Sequence, residues 1–296
     1  TGVVGPIAAA ATAARASGLS AGATAWAMGL AASMSGGLMA FQSDGAWSKW
    51  LHVGWAAAGG ITAAALAARG FRGPLAALAG RGGLYEALLA GEVLDLSPLT
   101  AALGADWRGG RAQFKYYPCA HVIQPYIDAA LAIRNAHGLK AGDIAAVRCR
   151  IAPWAVPIVC EPRARKIAPK TELDAIASLP YMVAYALAEG GPTLDALSEV
   201  ARKRADLRDL AARIEEQGDP ALGRGFDAHL EIRTNSGPVY SAESSADVLD
   251  PGRLTAKFIA NVTPRLGAAR AIEASRRLIG MAMPDVKAIA AILVGN

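Results

Sequence analysis

Runs of alanine such as AAAATAARA (8–16), GWAAAGG (54–60) and ITAAALAA (61–68) carry much of the apolar content of this chain. Alanine is the best helix former and buries little area per residue. A chain built this way gains a core only by packing many helices closely, backbone near backbone. Of the 296 residues, 53% are hydrophobic but only 6% aromatic. That length suffices for one large or two ordinary domains with a real core. The apolar fraction excludes disorder, and the irregular placement of 32 glycines excludes a collagen repeat.

Charge and cysteine usage narrow the function classes. The net charge of +5 is modest, and the basic residues are not interleaved with aromatics as a nucleic-acid groove requires. A small anionic substrate needs only a few converging Lys and His, so the expected partner is a small molecule, not nucleic acid. Cys119, Cys149 and Cys160 form an odd set without C-x-x-C spacing, which suggests a reducing, cytoplasmic setting and neither a disulfide framework nor a zinc knuckle. The longest uncharged stretch, 16–43, is long enough for a membrane span, but Gly, Ser, Thr and Gln interrupt it. It reads as a buried core helix capped by Ser20. No positively charged n-region precedes an apolar run, so no signal peptide is visible and no membrane partner is expected.

The first part of the chain reads as all-α. Helices are predicted over 5–16, 20–39, 53–68 and 84–90, separated by the breaks GLSAG, RGFRGP and GRGG. The character changes near Asp106. A strand-like alternation appears at Val147, Cys149 and Ile151, and FDAHLEIRTNSGPVYSAE reads as two strands joined at Asn235-Ser236-Gly237. IQPYIDAALAIRNAHG and LDAIASLPYMVAYALAEG read as helices, each ending at a Gly suited to the C′ position. The charge-alternating run 199–217 reads as one solvated helix face. The expected architecture is therefore a helical domain (1–105), an α+β domain (106–250), and a helical segment (251–296) packing back onto the first.

Most catalytic signatures are absent. G-x-G-x-x-A at Gly223, Gly225 and Ala228 lacks the strand before and the helix after it, so it reads as a turn. His137 and His229 read as structural or solvated. Two clusters remain. In SDGAWSKWLHVGWAAAGG, Lys49 and His52 stand three apart, so a helix presents an ammonium and an imidazole on one face near its N-terminus, which favours an anion. In QFKYYPCAHVIQPYIDAA, Lys115 and His121 flank Pro118, which makes Tyr117 extended ahead of a helix. A Lys beside a His makes a general acid/base with a carboxylate anchor. Both clusters read equally as solvated lysines and capping histidines. Tyr181, just inside a helix after Pro180, is a candidate proton donor or a packing residue. Cys119 lacks a third group to orient His121, which argues against thiol catalysis.

Taken in order, D-G-A-W-S-K-W-L-H-V-G-W-A-A-A-G-G (44–60), G-F-R-G-P (70–74), R-G-G-L-Y (81–85), K-Y-Y-P-C-A-H (115–121), I-D-A-A-L (127–131) and S-L-P-Y-M-V-A (178–184) resemble the MmgE/PrpD family. That family includes 2-methylcitrate dehydratase, cis-aconitate decarboxylase and iminodisuccinate epimerase. The resemblance implies an all-helical domain plus a smaller α+β lid-like domain, a homodimer, and an interdomain cleft for small di- or tricarboxylates with no metal or organic cofactor. It implies substrate-carboxylate and acid/base roles for Lys49, His52, Lys115 and His121, with Tyr181 as a catalytic partner. It also implies a longer parent protein whose upstream part adds an acidic residue and a His. The K-x-L-H-x-G form is nearer the decarboxylase and epimerase branches than the dehydratase. The activity implied is a cofactor-independent lyase or isomerase. The other class open to the sequence is a non-catalytic, truncated helical carboxylate-binding or interaction protein.

Overall fold

A computed structural model describes residues 1–89, 92, 95–246, 249–281 and 285–294. It divides into two units, residues 1–110 and 111–296. Helices predominate, with a single four-stranded sheet among the described residues.

In the first unit, α1 (Gly5–Ala16), α2 (Ala21–Ser33) and α3 (Ser48–Ala68) pack pairwise against one another. The core between them is mostly alanine: Ala10, Ala14, Ala27, Ala31 and Ala63 are fully buried. Close approach is what such a core requires. A Cβ added at Gly60 of α3 would lie 2.4 Å from the Ala9 Cβ and 2.6 Å from the Ala10 backbone nitrogen of α1. Gly29 of α2 likewise leaves room for the Pro74 carbonyl, 2.2 Å from where its Cβ would stand.

The helix boundaries differ instructively from those predicted. Helix α2 is capped by the Ser20 hydroxyl, as expected, but ends at Ser33, ahead of Gly36 and Gly37. Helix α3 starts five residues before the predicted Val53, and Trp47 at its N-cap offers no side-chain bond. The helix predicted over 84–90 spans Leu84–Leu88, and Ala90 lies outside the described residues. By length and composition α3 could cross a membrane, with a mean hydropathy of 1.4 over its most apolar window. Its small residues Ala56, Gly59, Gly60, Ala63, Ala64 and Ala67 are buried on α1 and α2, while Trp47, Trp50, Leu51 and Trp55 are exposed.

The second unit is built on β1 (Ile144–Ile151), β2 (Ile214–Gly218), β3 (Asp227–Thr234) and β4 (Val239–Ser245), in the order β2-β1-β3-β4. Strand β1 is parallel to β2 and antiparallel to β3, which is antiparallel to β4. The alternation read from the sequence places Val147, Cys149 and Ile151 inward and Arg148 and Arg150 outward. The β3–β4 turn follows Asn235 and Ser236, with Gly237 at φ 109°. Strand β2 was expected to be helix. Charge alternation misled because Ile214 pairs with Val147 in parallel register and is fully buried, so tertiary pairing overrode local helical spacing.

Helix α4 (Gln124–His137) covers β3 and β4, and α5 (Leu179–Glu189) packs on α4 and on α6 (Ala205–Ala212). The predicted C′ glycines follow α4 and α5: Gly138 has φ 61° and Gly190 φ 100°. Ser178 breaks the helical stretch before α5 and caps it through its hydroxyl. The helices after Asp250, α7 (Pro251–Leu266) and α8 (Ala268–Ile279), which the sequence assigned to the helical half, belong to this second unit, with α7 held against α4 by an ion pair between Arg253 and Asp128. Residues 282–284 and 295–296 of that last segment lie outside the described residues.

Candidate functional site

The segment Lys115–His121 is shaped by one buried amide. Gln124, in the first turn of α4, accepts hydrogen bonds at Oε1 from the Tyr116 and Tyr117 backbone N–H groups, both at 2.9 Å. Its Nε2 donates to the Tyr117 carbonyl at 3.1 Å and to Cys119 Sγ at 3.0 Å. The donors and acceptor of a side chain that is 1% exposed are thereby used on three residues of one loop, Tyr116, Tyr117 and Cys119. Pro118 prevents this loop from continuing as helix, and His121–Ile123 forms a single 3₁₀ turn into α4.

A second set of contacts holds the same segment from α7. Arg253 forks onto Asp128 of α4, with Nη2 to Oδ1 at 2.7 Å and Nη1 to Oδ2 at 3.3 Å. It also donates to the Tyr117 hydroxyl at 3.1 Å, and Tyr117 in turn donates to Asp128 at 2.6 Å. The guanidinium lies 3.8 Å from the Tyr116 ring centroid, a cation–π stack. The Asp250 backbone N–H donates to the Tyr116 hydroxyl at 2.6 Å. Burial and the Asp128 carboxylate together push the Tyr117 phenol far above its ordinary pKa. It is therefore a fixed neutral donor.

The predicted site residues fall into three groups. Lys115 is exposed, and its ammonium has no hydrogen-bond or ion-pair partner among the described residues. His121, six residues on, is half-buried and packs edge-to-face on Phe226, with ring centroids 4.6 Å apart. In the first unit, Lys49 and His52 occupy the opening turns of α3, not a position ahead of it. His52 is half-buried, set edge-on to Phe41 at 5.9 Å and against the Gly37 backbone, where a Cβ would stand 3.4 Å from its ring.

Tyr181 stands apart from these four. It is fully buried in the core of the second unit, and its hydroxyl donates to the Ala196 carbonyl at 2.7 Å. Burial pushes its pKa up to about 12. The proton-donor role expected of it is corrected to packing, because its one proton is already committed to a backbone acceptor.

Cys119 is inert for the same class of reason: burial raises its thiol to about 12. His137 stacks on Tyr240 at 3.7 Å, and His229 pairs with Glu243 at 2.9 Å, both structural. The G-x-G-x-x-A segment is a turn, with Gly223 at φ 55° and β3 opening at Asp227. Among the described residues, no group of three or more His, Cys, Asp or Glu side chains is arranged to hold a metal ion.

Sequence reasoning missed Gln124, Asp128 and Arg253. A signal existed for two of them. Gln124 and Asp128 are four apart in the otherwise apolar IQPYIDAAL, so they share a helix face and stand out as polar groups in need of partners. Arg253 is 125 residues from Asp128, and nothing local connects them.

Comparison with family models matches residues 1–97 to the MmgE/PrpD N-terminal domain and residues 117–279 to the MmgE/PrpD C-terminal domain. A comparison with curated proteins returns no match.

Proposed function

The chain belongs to the MmgE/PrpD family, a family of lyase and dehydratase type, and from that premise we propose that it is a cofactor-independent lyase or isomerase acting on a small di- or tricarboxylate. One observation carries the proposal. Gln124 and Arg253 tie down residues 116–119 of the Lys115–His121 segment, yet the Lys115 ammonium at its start is exposed and has no partner among the described residues. A loop fixed in this way offers a positioned cation, and a positioned cation suits a carboxylate.

The chemistry follows from the residue types. Dehydration, decarboxylation and epimerisation of a polycarboxylate share charge developing α to a carboxylate. An imidazole such as His121 moves the proton, and a lysine such as Lys115 stabilises the carboxylate as it gains negative charge. Lys49 and His52 supply the same two groups from successive turns of one helix. The family premise further proposes a homodimeric, cytoplasmic protein that uses neither metal nor organic cofactor. A sedimentation mass equal to one chain would overturn the dimer.

The test is turnover of citrate, 2-methylcitrate, cis-aconitate and iminodisuccinate by the wild type and by Lys49→Ala, His52→Ala, Lys115→Met and His121→Asn. A positioned acid or base is worth ~10²–10⁴-fold, so each variant loses at least ~10²-fold in kcat/KM on the substrate that the wild type accepts. A variant with an unchanged rate removes that residue from the site.

A further inference from the structure

Arg253 and Lys257 are four residues apart on α7 and so share one face of that helix. Both are directed at the same short segment. Arg253 engages Tyr116 and Tyr117, and Lys257 Nζ donates to the Lys115 carbonyl at 2.5 Å. The ammonium of Lys257 is thereby anchored next to the residue whose own ammonium is exposed. Neither Lys115 nor Lys257 pairs with a carboxylate among the described residues.

An ammonium has three donors. One from Lys257 is used on the carbonyl, and its other two are available beside Lys115. Burial, and after it the charge of Lys115, hold the Lys257 pKa below its ordinary value, so the two cations repel each other. A bound anion would relieve that repulsion and supply acceptors for the remaining donors.

We propose that Lys257 and Lys115 together form a two-ammonium seat for one carboxylate of the substrate, making Lys257 a specificity-determining residue that favours polycarboxylates over monocarboxylates. The proposal rests on the reading of Lys115 as a substrate-carboxylate residue. Its physical basis is that the anchor fixes the Lys257 ammonium on the backbone of the residue that carries the other cation. A carboxylate accepts from both, whereas a substrate whose only carboxylate is held elsewhere leaves the seat empty and gains nothing from it.

The test is calorimetric binding of propane-1,2,3-tricarboxylate and of butyrate to the full chain, in the wild type and in Lys115→Met, Lys257→Met and Lys257→Arg. A charge-assisted hydrogen bond contributes enough for ~10-fold in affinity or more. Lys257→Met is therefore expected to weaken the tricarboxylate at least ~10-fold and butyrate hardly at all, with Lys257→Arg recovering most of the loss. Where Lys257→Met does not fold, by near-ultraviolet circular dichroism, the wild type decides. The ε resonances of reductively ¹³C-methylated Lys115 and Lys257 should shift together as the tricarboxylate is added. If Lys115→Met loses affinity but Lys257→Met does not, or only the Lys115 resonance moves, the two-cation seat is wrong while the Lys115 reading stands. If Lys115→Met binds like the wild type, or the wild type does not bind the tricarboxylate, both fail.

Discussion

Gln124 and Tyr181 show how one buried polar atom decides between a structural and a chemical role. Gln124 spends both ends of its amide on the backbone and thiol of the 116–119 segment, so its contribution is to the shape of the loop that carries Lys115. Tyr181 spends its proton on the Ala196 carbonyl and can act only through packing. Tyr181→Phe should therefore cost about 1–2 kcal/mol in urea unfolding, the value of a buried hydrogen bond whose acceptor is left unpaired, and should leave kcat within a few-fold of the wild type. A ~10²-fold loss of kcat in a folded Tyr181→Phe protein would restore the proton-donor role. The position of Tyr181 just inside a helix start was legible from Pro180. The fate of its hydroxyl was not, because Ala196 is fifteen residues away on a separate turn. The Lys and His positions could be picked out from spacing; of the residues that hold the 115–121 segment, Gln124 and Asp128 left a local signal on α4, whereas Arg253 on α7 left none.

At the scale of elements, small residues set the fold of the first unit. The Gly60 position brings α3 against α1 so closely that a methyl group would meet Ala9 and the Ala10 backbone. Gly60→Ala gains up to about 1 kcal/mol in helix propensity but overpacks a backbone contact, which costs about 1–3 kcal/mol or more. The net expectation is a lower thermal midpoint, and a raised midpoint would show that α1 and α3 separate easily. Helix α1 was readable to the residue because the alanine run, Pro6 and the Ser17-Gly18 break agree. The run 199–217 was not, because Ile214–Gly218 takes its conformation from β1, more than sixty residues earlier in the chain. The start of α3 was missed for another reason: Trp47 offers no capping side chain, so nothing local marked it.

For the whole molecule, the buried titratable groups predict how stability depends on pH. Burial raises Cys119 and Cys160 from 9.0 to about 12 and raises Cys149 further still. A raised folded pKa gives stability that is fully present below the unfolded value and is lost as pH rises towards the folded one. Lys166, whose Nζ donates to the Ile158 and Ala177 carbonyls, runs the other way. Burial lowers it from 10.5 to about 8, so the cost of its buried charge is relieved between those values. Three losses outweigh one gain. Unfolding free energy under reducing conditions should thus be lower at pH 10.5 than at pH 8, with a net slope of up to about 3 kcal/mol per pH unit. Equal stability at the two pH values would mean that the thiols are not buried. The two-part organisation, helical and then α+β, was legible from the change of pattern near Asp106 and from β-branched alternation. The attachment of α7 to the second unit was not, since it depends on Arg253 meeting Asp128. The central claim is that this molecule moves a proton α to a carboxylate, and proton NMR in D₂O with citrate, 2-methylcitrate, cis-aconitate and iminodisuccinate tests it most directly. Solvent deuterium entering at the carbon next to a carboxylate, and failing to enter with Lys115→Met, is the predicted result; a folded protein that leaves every substrate in the panel unlabelled would contradict it.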